Sequence, residues 1–304
     1  MLKTVPGGSA QSLCGYVSSV RVTRWAGSLG EVECDDDAAR ESKLMSSRFE
    51  EYSNRFAHAA LERDEVGVLE IRLHTDGGSL VWGDAAHSEL PHVFEAVAAD
   101  PRNRVVILTG TGDRFIADLD DSWVGAMTPA KWSKIYSHGR RLLQRLLEVE
   151  VPVIGALNGP ATVHAELAVL SDIVLAADHT YFSDAPHFRF GTVPGDGVHV
   201  VWPMLLGPNR GRYFLLTGQR LSAEEALRLG VVNEVLPRDE VLPRARALAV
   251  ELARQPDTVL RYTRDVLTQS IRRALFDGLS HGLAVEGLGA FESWPTGDAN
   301  VEQR

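Results

Sequence analysis

Cysteine is nearly missing from this chain. Its two cysteines, Cys14 and Cys34, both fall within the first 45 of 304 residues. That excludes a disulfide framework, a thiolate zinc site and a cysteine nucleophile from everything that follows. No apolar run approaches bilayer length, so no spanning helix is expected. The N-terminus also lacks the apolar core of a secretion signal, which together with the scarcity of cysteine makes a cytoplasmic setting the expectation. Cations are outnumbered: 31 Lys and Arg face 41 Asp and Glu, for a net charge of −10. With no basic cluster to offset that charge, nucleic acid is excluded as a partner. What remains is an ordinary soluble composition, 44% hydrophobic and 24% charged, in a chain long enough for one large domain or two small ones.

Residues 1–47 mix Gly, Ser and charge, include Asp35-Asp36-Asp37, and show no sustained period. They read as a flexible extension that contributes little to the fold. Met45, just before the denser SSRFEEYSNRF, offers an alternative start. From Val66 the pattern sharpens. Leu69, Ile71 and Leu73 alternate with Glu70, Arg72 and His74, predicting a half-buried strand. A Gly77-Gly78 turn leads to Leu80-Val81-Trp82 and a helix over Asp84–Ala99, kinked or begun at Pro91. Arg104–Thr109 and Val151–Leu157 read as buried strands on either side of a helix over Ala130–Leu147. Ile173–Ala177 is a further strand. This alternation predicts an α/β core. Ser222-Ala223-Glu224-Glu225 is a capping box, Gly230 a helix stop, and Val231–Leu236 a short strand. Leu242–Arg254 and Thr258–Leu275 read as amphipathic helices, continuing toward Phe291.

Chemistry points to Tyr181–Gly197, YFSDAPHFRFGTVPGDG. His187 and Asp196 flank Gly191 and the Pro194-Gly195 pair, which favours a turn. A chain that turns back there brings the Asp196 carboxylate to the His187 ring, the arrangement of a general base. The alternative is that Asp196 merely caps the helix that follows. His87 and His92 lie on one helix without a third ligand, so no metal site is expected.

Three segments occur in order: VPVIGALNGPATVHAELAVLSDIVLAAD, FSDAPHFRFGTVPGDG and GPNRGRYFLLTGQRLSAEEALRLGVVNEVLP. They resemble the crotonase (enoyl-CoA hydratase/isomerase) superfamily from about Phe49 to about Phe291. The resemblance implies a spiral of strand–strand–helix turns over 48–236. It also implies a C-terminal helical region, 237–304, that makes trimers, often paired into hexamers. Hydratases of the family hold water between two glutamates; Glu166 falls at the first position and His187 replaces the second. Oxyanion amides of the family come from the segment that here reads Val163-His164-Ala165 and from the loop around Leu119.

Those departures resemble the branch of 6-oxocamphor hydrolase and related β-diketone hydrolases. That branch cleaves a carbon–carbon bond by a retro-Claisen reaction without coenzyme A. The likeness lies in Leu80–Trp82, Pro186–Phe188, Val193–Gly197 and GPNRGRYFLLTGQ. It implies His187 and Asp196 as catalytic pair, with His164 and Glu286 beside them. Trp82, Leu119, Val163 and Glu166 are the implied substrate contacts, the partner is a small diketone, and no cofactor is needed. Backbone N–H groups at Ala161–Val163 are expected to serve as oxyanion donors, and Trp82, Trp123 and Trp202 as pocket walls. A CoA-ester hydratase or isomerase, and a non-catalytic scaffold on the same fold, are the competing readings.

Overall fold

The computed structural model describes residues 48–120, 122–123 and 127–294. The expectations for residues 1–47, including the extension and the start at Met45, lie outside them. The first described helix, α1 (Arg48–Tyr52), leads to β1 (Ala59–Arg63), β2 (Val68–Leu73), β3 (Val81–Trp82) and α2 (Asp84–Ala99). Next come β4 (Val105–Gly110), β5 (Asp118–Leu119), α3 (Pro129–Glu148), β6 (Val153–Leu157), α4 (Glu166–Val169), β7 (Ile173–Ala177) and β8 (Tyr181–Phe182). A 3-10 turn (Phe188–Phe190), α5 (Val198–Leu206), α6 (Pro208–Thr217), β9 (Leu221–Ser222), α7 (Ala223–Arg228) and β10 (Glu234–Leu236) follow. The last two elements are α8 (Arg238–Leu252) and α9 (Asp257–Ser293).

The main sheet has the order β1-β2-β4-β6-β7-β10, with only the β1–β2 pair antiparallel. A parallel sheet needs cover on both faces, which is why β4 and β6 are apolar throughout rather than alternating. One face packs on the large core. The other carries Val68, Val105, Ile107, Ile154, Ala156 and Leu175 against Val241, Ala245 and Ala249 of α8. This cover corrects the expectation of a half-exposed β2. Glu70 is buried, and its carboxylate accepts from Arg246 of α8 at 2.6 Å. The alternation in β2 thus records an ion pair beneath a helix, not a face in water. β1 was not foreseen, because five residues reading AALER carry no clear period.

Helix ends follow local chemistry. Thr128 caps α3 by accepting from Lys131 N at 3.2 Å, with Pro129 in the first turn. Ser222 caps α7 in the same way through Glu225 N, and Gly230 follows that helix in the left-handed region. α2 runs continuously through Pro91. The helix expected from Thr258 toward Phe291 is one continuous 37-residue element, α9, ending at Ser293. Among the described residues no helix is long and apolar enough to cross a membrane.

Candidate active site

Four segments meet at one buried cluster. β3 and β5 pair in parallel with Trp82 opposite Leu119, which sets both side chains against the same cavity. After β6 the chain is pinned: Ala161 N donates to Tyr181 O at 3.0 Å, and Thr162 N and Val163 N donate to Ile116 O at 2.8 and 3.2 Å. These bonds correct the expectation that amides at Ala161–Val163 are free for an oxyanion, since a neighbouring strand already uses them. His164 then takes a left-handed backbone (φ 46°), a strained state for a non-glycine residue. That turn delivers its ring over Trp82, with centroids 4.1 Å apart.

The stretch 183–187 runs alongside, held by Ser183 N to Ala161 O (3.3 Å) and Ala185 N to Thr162 O (3.0 Å). The backbone carrying His187 is therefore tied to the backbone carrying His164. Beyond the 3-10 turn, Gly195 lies flat on α9. A Cβ there would meet Gly282 O at 2.2 Å, and one on Gly282 would meet Gly195 O at 2.3 Å. This glycine-to-glycine contact brings Asp196 down beside α9. One helical turn past Gly282, on the same face, stands Glu286.

His187 Nδ1 donates to Asp184 Oδ1 at 2.5 Å, both groups buried. Its Nε2 faces Asp196 Oδ2 and Glu286 Oε1, each at 3.5 Å. His164 Nδ1 donates to Glu166 Oε1 at 2.5 Å and lies 3.4 Å from Asp196 Oδ2. One Asp196 oxygen thus stands between two imidazoles, while its other oxygen accepts from Val198 N at 3.4 Å. Asp196 is a partner of both histidines, whereas the cap position of α5 is Gly197, with no side-chain cap bond.

The charges follow from this packing. Burial alone would lower the His187 pKa, but Asp184 and Asp196 overcome it and hold the ring well above its ordinary value. Burial likewise opposes charge on His164, yet Glu166 and Asp196 raise its pKa. Burial raises Glu166, and lifts Glu286 to about 7. Asp196 is lowered despite burial, because His187 and His164 flank it.

The cavity above this cluster has a volume of about 40 Å³, room for a few waters. Its walls are aromatic: Trp82, Trp123, Trp132 and Trp294, with His87. Trp132 Nε1 donates to Leu283 O at 3.0 Å and Trp294 Nε1 to Thr192 Oγ1 at 2.6 Å. By contrast, the buried indole N–H groups of Trp82 and Trp123 have no protein partner, and neither has Nδ1 of His87. Unpaired buried donors cost free energy, and in the walls of a cavity they are available to the oxygens of water or a ligand. His164, Glu166 and Asp196 place one donor atom each within 4.8 Å of one another, a spacing that could hold a metal ion. The direct His164–Glu166 hydrogen bond instead engages two of those donors with each other.

Residues 64–285 match the enoyl-CoA hydratase/isomerase family. The chain belongs to that family. Among solved structures of enoyl-CoA hydratase/isomerase type, one from Mycobacterium paratuberculosis is 27% identical, with a TM-score of 0.73 over 78% of this chain and 95% of its own. A β-diketone hydrolase from the cyanobacterium Anabaena sp., bound to (S)-3-oxocyclohexyl acetic acid, is 46% identical. It aligns with a TM-score of 0.77 over 81% of this chain and 97% of its own. A curated relative, the carnitinyl-CoA dehydratase of Salmonella arizonae, is 34% identical over 72% of this chain and 86% of its own.

Of the residues singled out in the sequence, the cluster gathers His187, Asp196, His164, Glu166 and Glu286. Trp82, Leu119 and Val163 line the cavity. Glu166 is fully buried behind His164 and does not line it, so its contact with a ligand would run through that ring. Trp202 packs in the core between Phe182 and Phe214 and is not a pocket wall. Four residues were missed. Trp132, Trp294 and His87 reach the cavity by long-range helix packing, which no local pattern signals. Asp184 did carry a signal, an aspartate three positions before the histidine.

Proposed function

We propose that this family member hydrolyses a carbon–carbon bond in a cyclic or bicyclic β-diketone by a retro-Claisen reaction, yielding a keto acid. The observation that carries this reading is His187, an imidazole set on a buried carboxylate and facing two more, where a CoA hydratase would use a glutamate. Neutral His187 removes a proton from water through Nε2, and the water oxygen bonds to one carbonyl carbon. Protonated His164 and the indole N–H of Trp82 donate to the substrate's oxygens. The raised pKa of His164 favours the imidazolium, and its Nε2–H is left over once Nδ1–H donates to Glu166. Collapse of the tetrahedral adduct breaks the carbon–carbon bond. The electron pair leaves as an enolate, and protonated Glu286 or the imidazolium returns a proton to carbon. The sum is diketone plus water giving keto acid.

The ligand of the Anabaena enzyme supports this class of substrate. Closing the carboxyl carbon of that acid onto the ring carbon beyond its ketone, with loss of water, gives a bridged bicyclic β-diketone. The likeness to a carnitinyl-CoA dehydratase favours a second reading, an acyl-CoA lyase. The test is incubation with a panel of monocyclic and bridged diketones, following loss of diketone and gain of keto acid, beside retention on immobilised CoA. Diketone turnover without CoA retention is expected. The reverse result selects the lyase.

The pH dependence follows from the cluster. The base must be neutral, so kcat/KM is expected to rise with pH as His187 loses its proton, above the ordinary imidazole value of about 6.5. Glu286, lifted only to about 7, gives up the proton that the enolate needs before His187 is fully neutral. The competent form, neutral His187 beside protonated Glu286, is therefore a minor one at every pH. The two groups are 3.5 Å apart and titrate together, which makes the profile a narrow bell. A rate flat across neutral pH would remove His187 from the base role.

Assembly is part of the proposal. Val259, Tyr262, Val266, Leu267 and Phe276 of α9 are all exposed. Such an apolar stripe needs cover, and a homotrimer, alone or paired, supplies it. Sedimentation should give three subunits or a multiple. A monomer stable at micromolar concentration contradicts the trimer.

A further inference from the structure

We infer that Asp184 is the positioning residue that orients His187, and that Asp196 serves on the reactive side of the ring. The inference rests on the hydrolase reading for its kinetic consequences, but not for its geometry. The Nδ1–Oδ1 separation of 2.5 Å is a full hydrogen bond, whereas Asp196 and Glu286 stand 3.5 Å from Nε2. Asp184 and His187 are both buried. The backbone bonds from Ser183 and Ala185 to Ala161 and Thr162 fix Asp184 relative to the segment that carries His164.

With Nδ1–H committed to Asp184, neutral His187 has one tautomer, and its lone pair is on Nε2. That nitrogen faces the cavity, Asp196 and Glu286. An orienting carboxylate on the far nitrogen is the arrangement that holds an imidazole ready to take a proton and stabilises the imidazolium that results. Asp196 cannot play that part while Asp184 does. Its Oδ2, shared between His164 and His187, is placed to bind the attacking water or to balance the charge of both rings. The groups facing His187 are Asp184, Asp196 and Glu286, with His164 next in the cluster, so removing Asp184 leaves two carboxylates near Nε2 and none on Nδ1.

The test is nitrogen-15 and proton NMR of imidazole-labelled protein, with His187→Gln to assign the ring, beside kinetics of Asp184→Asn and Asp196→Asn. In the unsubstituted protein the neutral ring should carry its proton on Nδ1, with a downfield N–H resonance slow to exchange. Asp184→Asn should lose that resonance and lower kcat by about 10²-fold or more. KM should change little, and the acid limb should move to lower pH. Asp196→Asn should keep the resonance. A neutral ring protonated on Nε2 overturns the inference, and that tautomer is read on the unsubstituted protein, with His187→Gln serving only to assign the resonance. Loss of the resonance in Asp196→Asn, or an unmoved acid limb in Asp184→Asn, overturns it too. If no diketone is turned over, the NMR result still stands alone, so failure of the reaction class and failure of the positioning role are separable.

Discussion

His187→Ala is expected to cut kcat by about 10²–10⁴, the usual worth of a positioned base, while leaving the fold intact. Removing the ring takes away the proton acceptor and leaves Asp184, Asp196 and Glu286 buried without a cationic neighbour at that point. Asp196 and Glu286, whose pKa values His187 lowers, should then hold protons more tightly, so the variant should bind protons at higher pH than its parent and not unfold. Steady-state turnover of the best diketone, with a melting curve alongside, measures both effects. The combined His187→Ala, Asp196→Asn variant should lose much less than the product of the single losses, because the two groups act as one unit. Near-parental turnover in His187→Ala would leave Glu166 and Glu286 as the candidate bases and end the imidazole mechanism.

Arg264→Ala is expected to cost about 3–5 kcal/mol of stability, the effect of breaking a buried charge pair on one side. Arg264 is buried in α9, where burial lowers its pKa against the pull of Asp172. Its Nε donates to Asp172 Oδ2 at 2.6 Å, and Nη1 donates to the carbonyls of Leu147 and Val149 at the end of α3. The same Asp172 oxygen accepts from Val153 N at 2.7 Å, where β6 begins. One guanidinium therefore joins the last helix to the end of α3 and the start of a central strand. Truncation leaves the Asp172 carboxylate without its cation and the Val149 carbonyl without its guanidinium donor, while Leu147 O keeps Arg272 Nη2 at 2.7 Å. Urea unfolding should show a lower midpoint with an unchanged slope. An Arg264→Met, Asp172→Asn double variant should cost less than the two single losses summed, since neither charge is then left alone. A loss under 1 kcal/mol for Arg264→Ala would mean that water reaches the site and replaces the guanidinium.

Much of this was legible in the chain. Runs such as VVILTG and VIGAL can only be strands covered on both sides, and Ser222 with Glu225 marks a helix start by its own hydrogen bond. The turn at Pro194-Gly195 promised the return of Asp196 toward His187. What could not be read was set by distance along the chain. Glu70 looks solvent-facing until Arg246, far downstream, covers it. Trp132 and Trp294 look like core until α3 and α9 cross. Asp184 was in plain view, but the spacing of two carboxylates around one histidine does not say which nitrogen each takes. That depends on the backbone bonds of Ser183 and Ala185.

The placement of the site along the chain has a further meaning for synthesis. Its walls run from Trp82 to Trp294, and Glu286 and Trp294 come from the far end of α9, a rod of about 55 Å. The strands of the main sheet, through β10, leave the ribosome well before that rod is finished. The six strands of the sheet thus precede in the chain one carboxylate and one wall of the site. A chain cut after Leu283 would keep Arg264 and the core leucines Leu275, Leu279 and Leu283 and lack only Glu286 and Trp294 from the cluster and its walls, so the final turns of this helix complete the site more than they complete the core.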